Sequence, residues 1–266
     1  MARQSKKSDQ AVSPPNRGKG QWLLVRYLPT TLFSLRMTHA TSKGGKTLLV
    51  PTPYAVKLAF IDASFRIGDR DLAVTVLHWL KDREVRFRPP EHCVVLNTFI
   101  KIKQEKRGAP RGIYESTIAY REFCYYRGEL TIAIGVGGLE AKQIEMIKKV
   151  AVHINYLGKR GSFMQFIGAD DVDILPEGFT HPLHDPMLRP GLYAKSSLLD
   201  DFGKDAFTDK NLFDRISTYG KGAVSLGKHR ILVPTLLPYR LVQSSRGFSQ
   251  YRRIEGEKHG AHNDQD

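Results

Sequence analysis

Apolar positions along this chain change period several times, and each change marks an element. Residues 22–27, WLLVRY, are a nearly continuous apolar run, as in a strand buried on both faces. The following segment is mixed and becomes loop-like over 39–46, where Ser42, Gly44 and Gly45 stand among Lys43 and Lys46. Thr52 then offers a helix cap, and Pro53 suits the first turn. Val56, Ala59, Phe60 and Ala63 recur behind them at helical spacing, which predicts a largely buried helix ending at Gly68. Asp69 or Asp71 opens a second helix through Leu72, Val76 and Leu80. Strand patterning returns at 85–88 and 93–103. In the second run Phe99, Lys101 and Lys103 alternate with Ile100 and Ile102, giving two unlike faces. Residues 104–117 hold Lys106, Arg107 and Arg111 with two glycines and a proline, and read as a projecting hairpin tip. Its partner strand is 118–126, continued over 130–136 after a turn at Arg127 and Gly128. Helical spacing resumes at Ile144, Ile147, Ala151 and Ile154, with Gly158 expected to stop the helix after Leu157. Lys159 and Arg160 lie between Gly158 and Gly161, followed by Ser162 and a strand over 163–167.

The resulting order is βαββαβ. It predicts an α+β protein with a ferredoxin-like, RRM-like palm over 21–170, one sheet face covered by helices and the other free, and a β-hairpin thumb near 104–117. Beyond it, 171–243 reads as a smaller, irregular, β-rich region. Within this, 169–191 is expected to be a long surface connection, 198–216 a partly helical stretch, and 224–242 an edge or irregular strand because of Pro234 and Pro238. Residues 1–20 read as a disordered basic tail, and 244–266 as a tail that is first basic and then polar.

Charge adds a partner to this picture. The chain has 266 residues and a net charge of +14, so its surface suits an anion: nucleic acid, an anionic membrane or an acidic protein. No apolar run is long enough to span a bilayer, and the N-terminus lacks the apolar segment of a secretory signal. Cys93 and Cys124 sit in apolar or aromatic runs, without a CxxC neighbour, as buried reduced thiols do. The expectation is a cytoplasmic protein with no membrane contact.

Little in the sequence suggests cofactor chemistry. Gly135, Gly137 and Gly138 lack dinucleotide-motif spacing. His181, His184 and Asp185 would need a helix to converge on a metal, and Pro182 and Pro186 argue against one. No cofactor and no metal are expected. Cations and aromatics are the stronger signal. Lys43 and Lys46, then Lys106, Arg107 and Arg111, then Lys159 and Arg160, fall in three predicted loops. Beside them runs a strand in which alternation places Tyr120 and Tyr126 on one face and Arg121, Phe123 and Tyr125 on the other. Aromatics can stack bases while cations neutralise phosphates. With Arg26, Tyr27, His39, Lys57, Tyr120, Arg121 and Ser162, these loop cations make up the candidate RNA-binding set. His39, in a loop among lysines, is also the candidate base for metal-free RNA cleavage.

Three segments carry a family resemblance: LLVPTPYAVKLAFIDA, YREFCYY and NYLGKRGSF. They resemble, in the same order, segments of the CRISPR-associated family-five proteins of the RAMP superfamily, over roughly residues 21–170. That resemblance implies a ferredoxin-like palm with a thumb, holding the 5′ repeat-derived handle of a CRISPR RNA in a Cascade-type complex. It implies packing against a backbone subunit and a large subunit, with target DNA near the flanking motif as a further contact. It places 104–117 at the thumb tip and 158–161 in a glycine-rich loop near RNA. Thr52, Pro53 and Lys57 would mark a first helix starting near the handle. Two other readings stay open: an endoribonuclease that processes precursor CRISPR RNA, and a scaffold protein that binds acidic partners and no RNA.

Overall fold

The computed structural model describes residues 21–38, 40, 44–185, 193–204, 206, 213, 215–216 and 222–255. Strand β1 (Trp22–Pro29) has one face, Leu23, Val25 and Tyr27, with no exposure at all. Leu24 and Arg26 on its other face are half-buried, so the strand is covered fully on one side only. A two-residue strand, β2 (Gly44–Gly45), follows. Helix α1 (Pro53–Ile67) begins at the expected cap, with Thr52 Oγ1 accepting from Ala55 N at 3.1 Å. Helix α2 (Arg70–Leu80) begins at Asp69, whose carboxylate accepts from Leu72 N at 2.9 Å.

Strands β3 (Val85–Arg88), β4 (His92–Glu105), β5 (Tyr114–Arg127) and β6 (Leu130–Gly135) come next, then helix α3 (Ala141–Val152) and strand β7 (Met164–Val172). Four of these strands form an antiparallel sheet in the order β3-β6-β1-β7. Apolar side chains from α1, α2 and α3 pack into one core with it, including Phe60, Val76, Ile147, Phe87 and Ile132. This corrects the pairing expected from the sequence. The strands at 93–103 and 118–126 do not enter that sheet; β3 and β6 do. The hairpin β4–β5 is inserted between them and joins a second sheet, ordered β11-β12-β4-β5-β2.

The remaining elements are β8 (His181–Pro182), β9 (Lys195–Phe202), β10 (Arg230–Leu237), β11 (Tyr239–Ser244) and β12 (Phe248–Arg253). A third sheet has the order β8-β10-β9. Residues 198–202, the start of the stretch expected to be partly helical, are therefore strand. Pro234 lies within β10, next to Thr235 and Leu236, the two β10 residues paired with β8, so most of that edge is open to a proline. Residues 244–255 are not tail: β12 pairs with β4 from Leu96 to His92 and sits inside the second sheet. The stretch from 173 to 185 is not solely a surface connection either. Thr180 is buried and clamps the edge of β3, its N donating to Phe87 O at 2.7 Å and its Oγ1 accepting from Phe87 N at 3.0 Å. The tails at 1–20 and 256–266 lie outside the described residues.

Candidate nucleic-acid interface

The glycine loop is built from both of its ends. Helix α3 stops at Val152, five residues before the expected stop, because the chain after it turns into strand pairing. Asn155 O accepts from Met164 N at 2.9 Å, and Tyr156 bridges Phe163. Inside that bridge Leu157 N donates to Ser162 O at 3.2 Å and Ser162 N to Lys159 O at 3.1 Å. Such a tight reversal places Gly158 at φ 76° and Gly161 at φ 96°, where side chains are strained. Gly158 also packs on Leu35, with Cδ1 3.1 Å from where a Cβ would stand. Thr31 Oγ1 donates to Gly161 O at 2.6 Å and accepts from Phe163 N at 2.8 Å. The loop is thereby fastened to the segment after β1, and Lys159 and Arg160 project from it, exposed.

The loop and helix α1, from its cap Thr52 to Phe65, line a cleft of about 1090 Å³. Its polar lining includes Arg36, Lys159, Arg160 and Arg230, with Asp62 and Asp200; Leu35, Leu58, Phe65 and Phe213 give it an apolar side. Both acids are already engaged. Asp62 pairs with Arg66 at 3.1 Å, and buried Asp200 pairs with Arg230. The Arg230 guanidinium lies 4.9 Å from the Tyr54 ring centre. Burial pushes the Tyr54 hydroxyl pKa up, partly opposed by Arg230. Four cations line the cleft, and a helix N-terminus, which favours anions, contributes Thr52, Tyr54 and Ala55 to it, so the cleft can hold a phosphate beside an apolar wall.

Of the sequence candidates, Lys159 and Arg160 line this cleft. Lys106, Arg107 and Arg111 are exposed at the far end of the β4–β5 hairpin, away from it. Lys46 is exposed just after β2, which pairs with β5 at Tyr120 and Arg121. Arg121 folds over Gly45 and donates to Tyr120 O at 2.7 Å, and Tyr120 packs edge-on against Phe99 at 5.7 Å. Arg26 lies across Gly168 on the helix-free face and pairs with Asp170 at 3.1 Å. His39 and Lys43 fall outside the described residues.

Three candidates are structural. Tyr27 is fully buried and donates to Ala151 O at 2.8 Å, fixing α3 to the sheet; its pKa is far above the ordinary tyrosine value because of burial. Ser162 is buried and its Oγ accepts from Ser34 N at 3.1 Å, bracing the loop. Lys57 is 2% exposed and donates to Asp201 at 2.7 Å and Lys81 O at 2.9 Å. Burial lowers the Lys57 pKa against the pull of Asp201, and it raises that of Asp201. No RNA phosphate can reach an ammonium enclosed this way.

Sequence reasoning missed Arg36 and Arg230. Arg36 bridges Thr47 outside any regular strand, so no period marks it. Arg230 arrives from β10, far along the chain, and only tertiary structure brings it to α1. His181 Nδ1 lies 3.0 Å from Asp185, but Arg86 shares that carboxylate at 2.7 Å. Among the described residues no group of three or more His, Cys, Asp and Glu could hold a metal ion, and no helix is long and apolar enough to cross a membrane.

The fold and cleft define an α+β protein of mostly antiparallel sheets with a cationic, partly apolar groove. No family model matches the chain. A curated relative, CRISPR-associated protein Cas5 of Archaeoglobus fulgidus, is 24% identical over 146 residues. Those residues are 54% of this chain and 62% of the relative, so the match spans less than two thirds of that protein's length. Over that stretch the chain is similar to a Cas5 protein. Similar solved structures include a CRISPR protein from Archaeoglobus fulgidus (12% identity, 88% of this chain and 92% of that one, TM-score 0.47). Others are a chain of a CRISPR RNA-guided surveillance complex (13%, 80% and 88%, 0.43) and one of a Type III-B Cmr-beta complex bound to cognate target RNA (11%, 57% and 60%, 0.40).

Proposed function

We propose that this chain is the RNA-binding subunit of a type I CRISPR effector complex and grips the 5′ handle of the CRISPR RNA. The observation that carries the reading is the convergence of Arg36, Lys159, Arg160 and Arg230 on one open cleft along α1. Phosphates of a bound strand engage the loop cations and the helix end, and a base or ribose meets the apolar wall. The sheet β3-β6-β1-β7, with α1 and α2 between β1 and β3 and α3 between β6 and β7, serves as a ferredoxin-like palm. The projecting half of the β4–β5 hairpin serves as the thumb. Partners on this reading are a backbone subunit and a large subunit, with target DNA near the flanking motif, in the cytoplasm. The net charge of +14 and the sequence relationship to Cas5 support it.

The test is to purify the chain with the products of its neighbouring genes and sequence the bound RNA, for the native chain and for Lys159→Glu/Arg160→Glu. Repeat-derived 5′ ends are expected with the native chain and a loss of at least about tenfold in RNA affinity with the variant, at an unchanged melting temperature, since both side chains are solvent-exposed. Bound RNA lacking repeat-derived 5′ ends, or a variant of native affinity, defeats the proposal.

A further inference from the structure

The outward face of the second sheet carries a row of cations that the cleft does not use. Register places Arg240 opposite Arg252, Arg252 opposite His92, and His92 opposite Arg127. Residues opposite one another in antiparallel strands share a face, so four basic side chains stand in line across β11, β12, β4 and β5. At about 4.8 Å per strand the row is about 14 Å long. The three arginines are exposed and His92 is half-buried. Among the described residues Glu91 answers them at close range, 3.0 Å from His92 and 3.4 Å from Arg252. Like charges set directly opposite one another disfavour a sheet, and Glu91 offsets that for two of the four side chains.

The row is also connected to the cleft. Moving along β5 by alternate residues, Arg127 is followed on the same face by Tyr125 and then Phe123. Tyr125 is 54% exposed. The Lys159 ammonium, at the cleft, lies 5.8 Å from the centre of the Phe123 ring. The face therefore runs without interruption from a loop cation over two aromatic rings to a line of guanidiniums. Successive rings are about 6.8 Å apart along the strand, a spacing at which an extended single strand can lay down one base after another.

We propose that a single-stranded nucleic acid leaving the cleft at Lys159 continues along this face. Phe123 and Tyr125 stack its bases, and the Arg127–His92–Arg252–Arg240 row binds its phosphates. This extension rests on the RNA-binding reading of the cleft. Regular cation spacing with interleaved exposed aromatics favours a polynucleotide over an acidic protein, whose carboxylates need no rings.

The test compares repeat-sequence single-stranded RNA of about 8 and about 16 nucleotides, fluorescein-labelled, on the full chain and on Arg127→Ala/Arg252→Ala. The variant should bind the short RNA as the native chain does and lose affinity for the long one. Its slope of log K against log salt for the long RNA should shrink by about 1.4, because two phosphates are no longer neutralised. Its melting temperature should be equal or higher, because like charges are removed. Ultraviolet crosslinking should join the long RNA to Tyr125. Native binding of the long RNA by the variant, with an unchanged slope and no Tyr125 crosslink, overturns the extension while leaving the cleft intact. Failure of the native chain to bind either RNA defeats the cleft reading as well. Stronger binding of polyglutamate than of RNA, lost in the variant, assigns the face to an acidic protein instead and also overturns the extension.

Discussion

Strand β6 and the outer half of the β4–β5 hairpin are built from the same kinds of residue and have opposite fates. In β6, Leu130, Ile132 and Ile134 are at most 1% exposed. In the hairpin, Phe99 is 72% exposed, Ile118 68% and Tyr114 60%. Both alternate as strands do. The difference lies in neighbours. β6 sits between β3 and β1 with helices packed over its sheet, whereas β4 loses β12 beyond Leu96 and β5 meets β2 only at Tyr120 and Arg121. Past those points each strand of the hairpin pairs only with the other among the described residues. Hydrophobicity in this chain therefore marks two things: what the core needs, and what a partner could cover. Only topology tells them apart.

The largest effect should come from breaking the first region. Phe87 of β3 is fully buried in the helix-covered core. Phe87→Ala should cost about 3–5 kcal/mol through lost burial and the cavity left behind, read as a lower urea midpoint at an unchanged m-value. A cost below about 1 kcal/mol would mean that this sheet is no more rigidly packed than the hairpin.

An intermediate effect is expected where the third sheet is tied to the first core. Lys57 on α1 and Asp201 on β9 form the tie, and both pKa shifts show burial outweighing attraction, since each disfavours the charged form. Lys57→Ala leaves a carboxylate without its ammonium and should destabilise by about 3 kcal/mol. The double change Lys57→Met/Asp201→Leu removes both charges and should recover most of that loss in the same urea titration. If the double variant is as unstable as the single one, the pair contributes through geometry that apolar groups cannot replace.

Lys57 also marks the limit of what the sequence can disclose. Its position on α1 is legible from local spacing, as are the caps at Thr52 and Asp69. The loop Gly158-Lys159-Arg160-Gly161 is legible too, because two glycines around two cations are a local signal. The burial of Lys57 is not, because Asp201 comes from β9 and nothing near Lys57 announces it. The same reason hides Arg230 from the cleft, Arg252 from the cation row, and β12 from the sheet it enters. Each is placed by pairing between distant segments. The strands of the β3-β6-β1-β7 sheet are misread from sequence because an entire hairpin interrupts them.

The smallest effect should come from the hairpin, and it decides whether the comparison holds. Phe99 packs only edge-on against Tyr120, across a two-stranded ribbon, and most of its ring meets water. Phe99→Ser gives up little buried area, and one aromatic cross-strand pair is of order 0.2–1 kcal/mol. An isolated ribbon is marginally stable by itself, so its fraying is largely uncoupled from global unfolding. The urea midpoint should therefore shift by less than about 0.5 kcal/mol equivalent, while amide exchange in 98–105 and 114–119 accelerates. A global loss near that of Phe87→Ala would mean that the ribbon is part of the cooperative core, and that its exposed aromatics stabilise the fold rather than wait for a partner. With global stability unchanged and exchange faster only in the ribbon, the exposed face has a stability separate from the core, and binding can change its order without unfolding the sheet beneath.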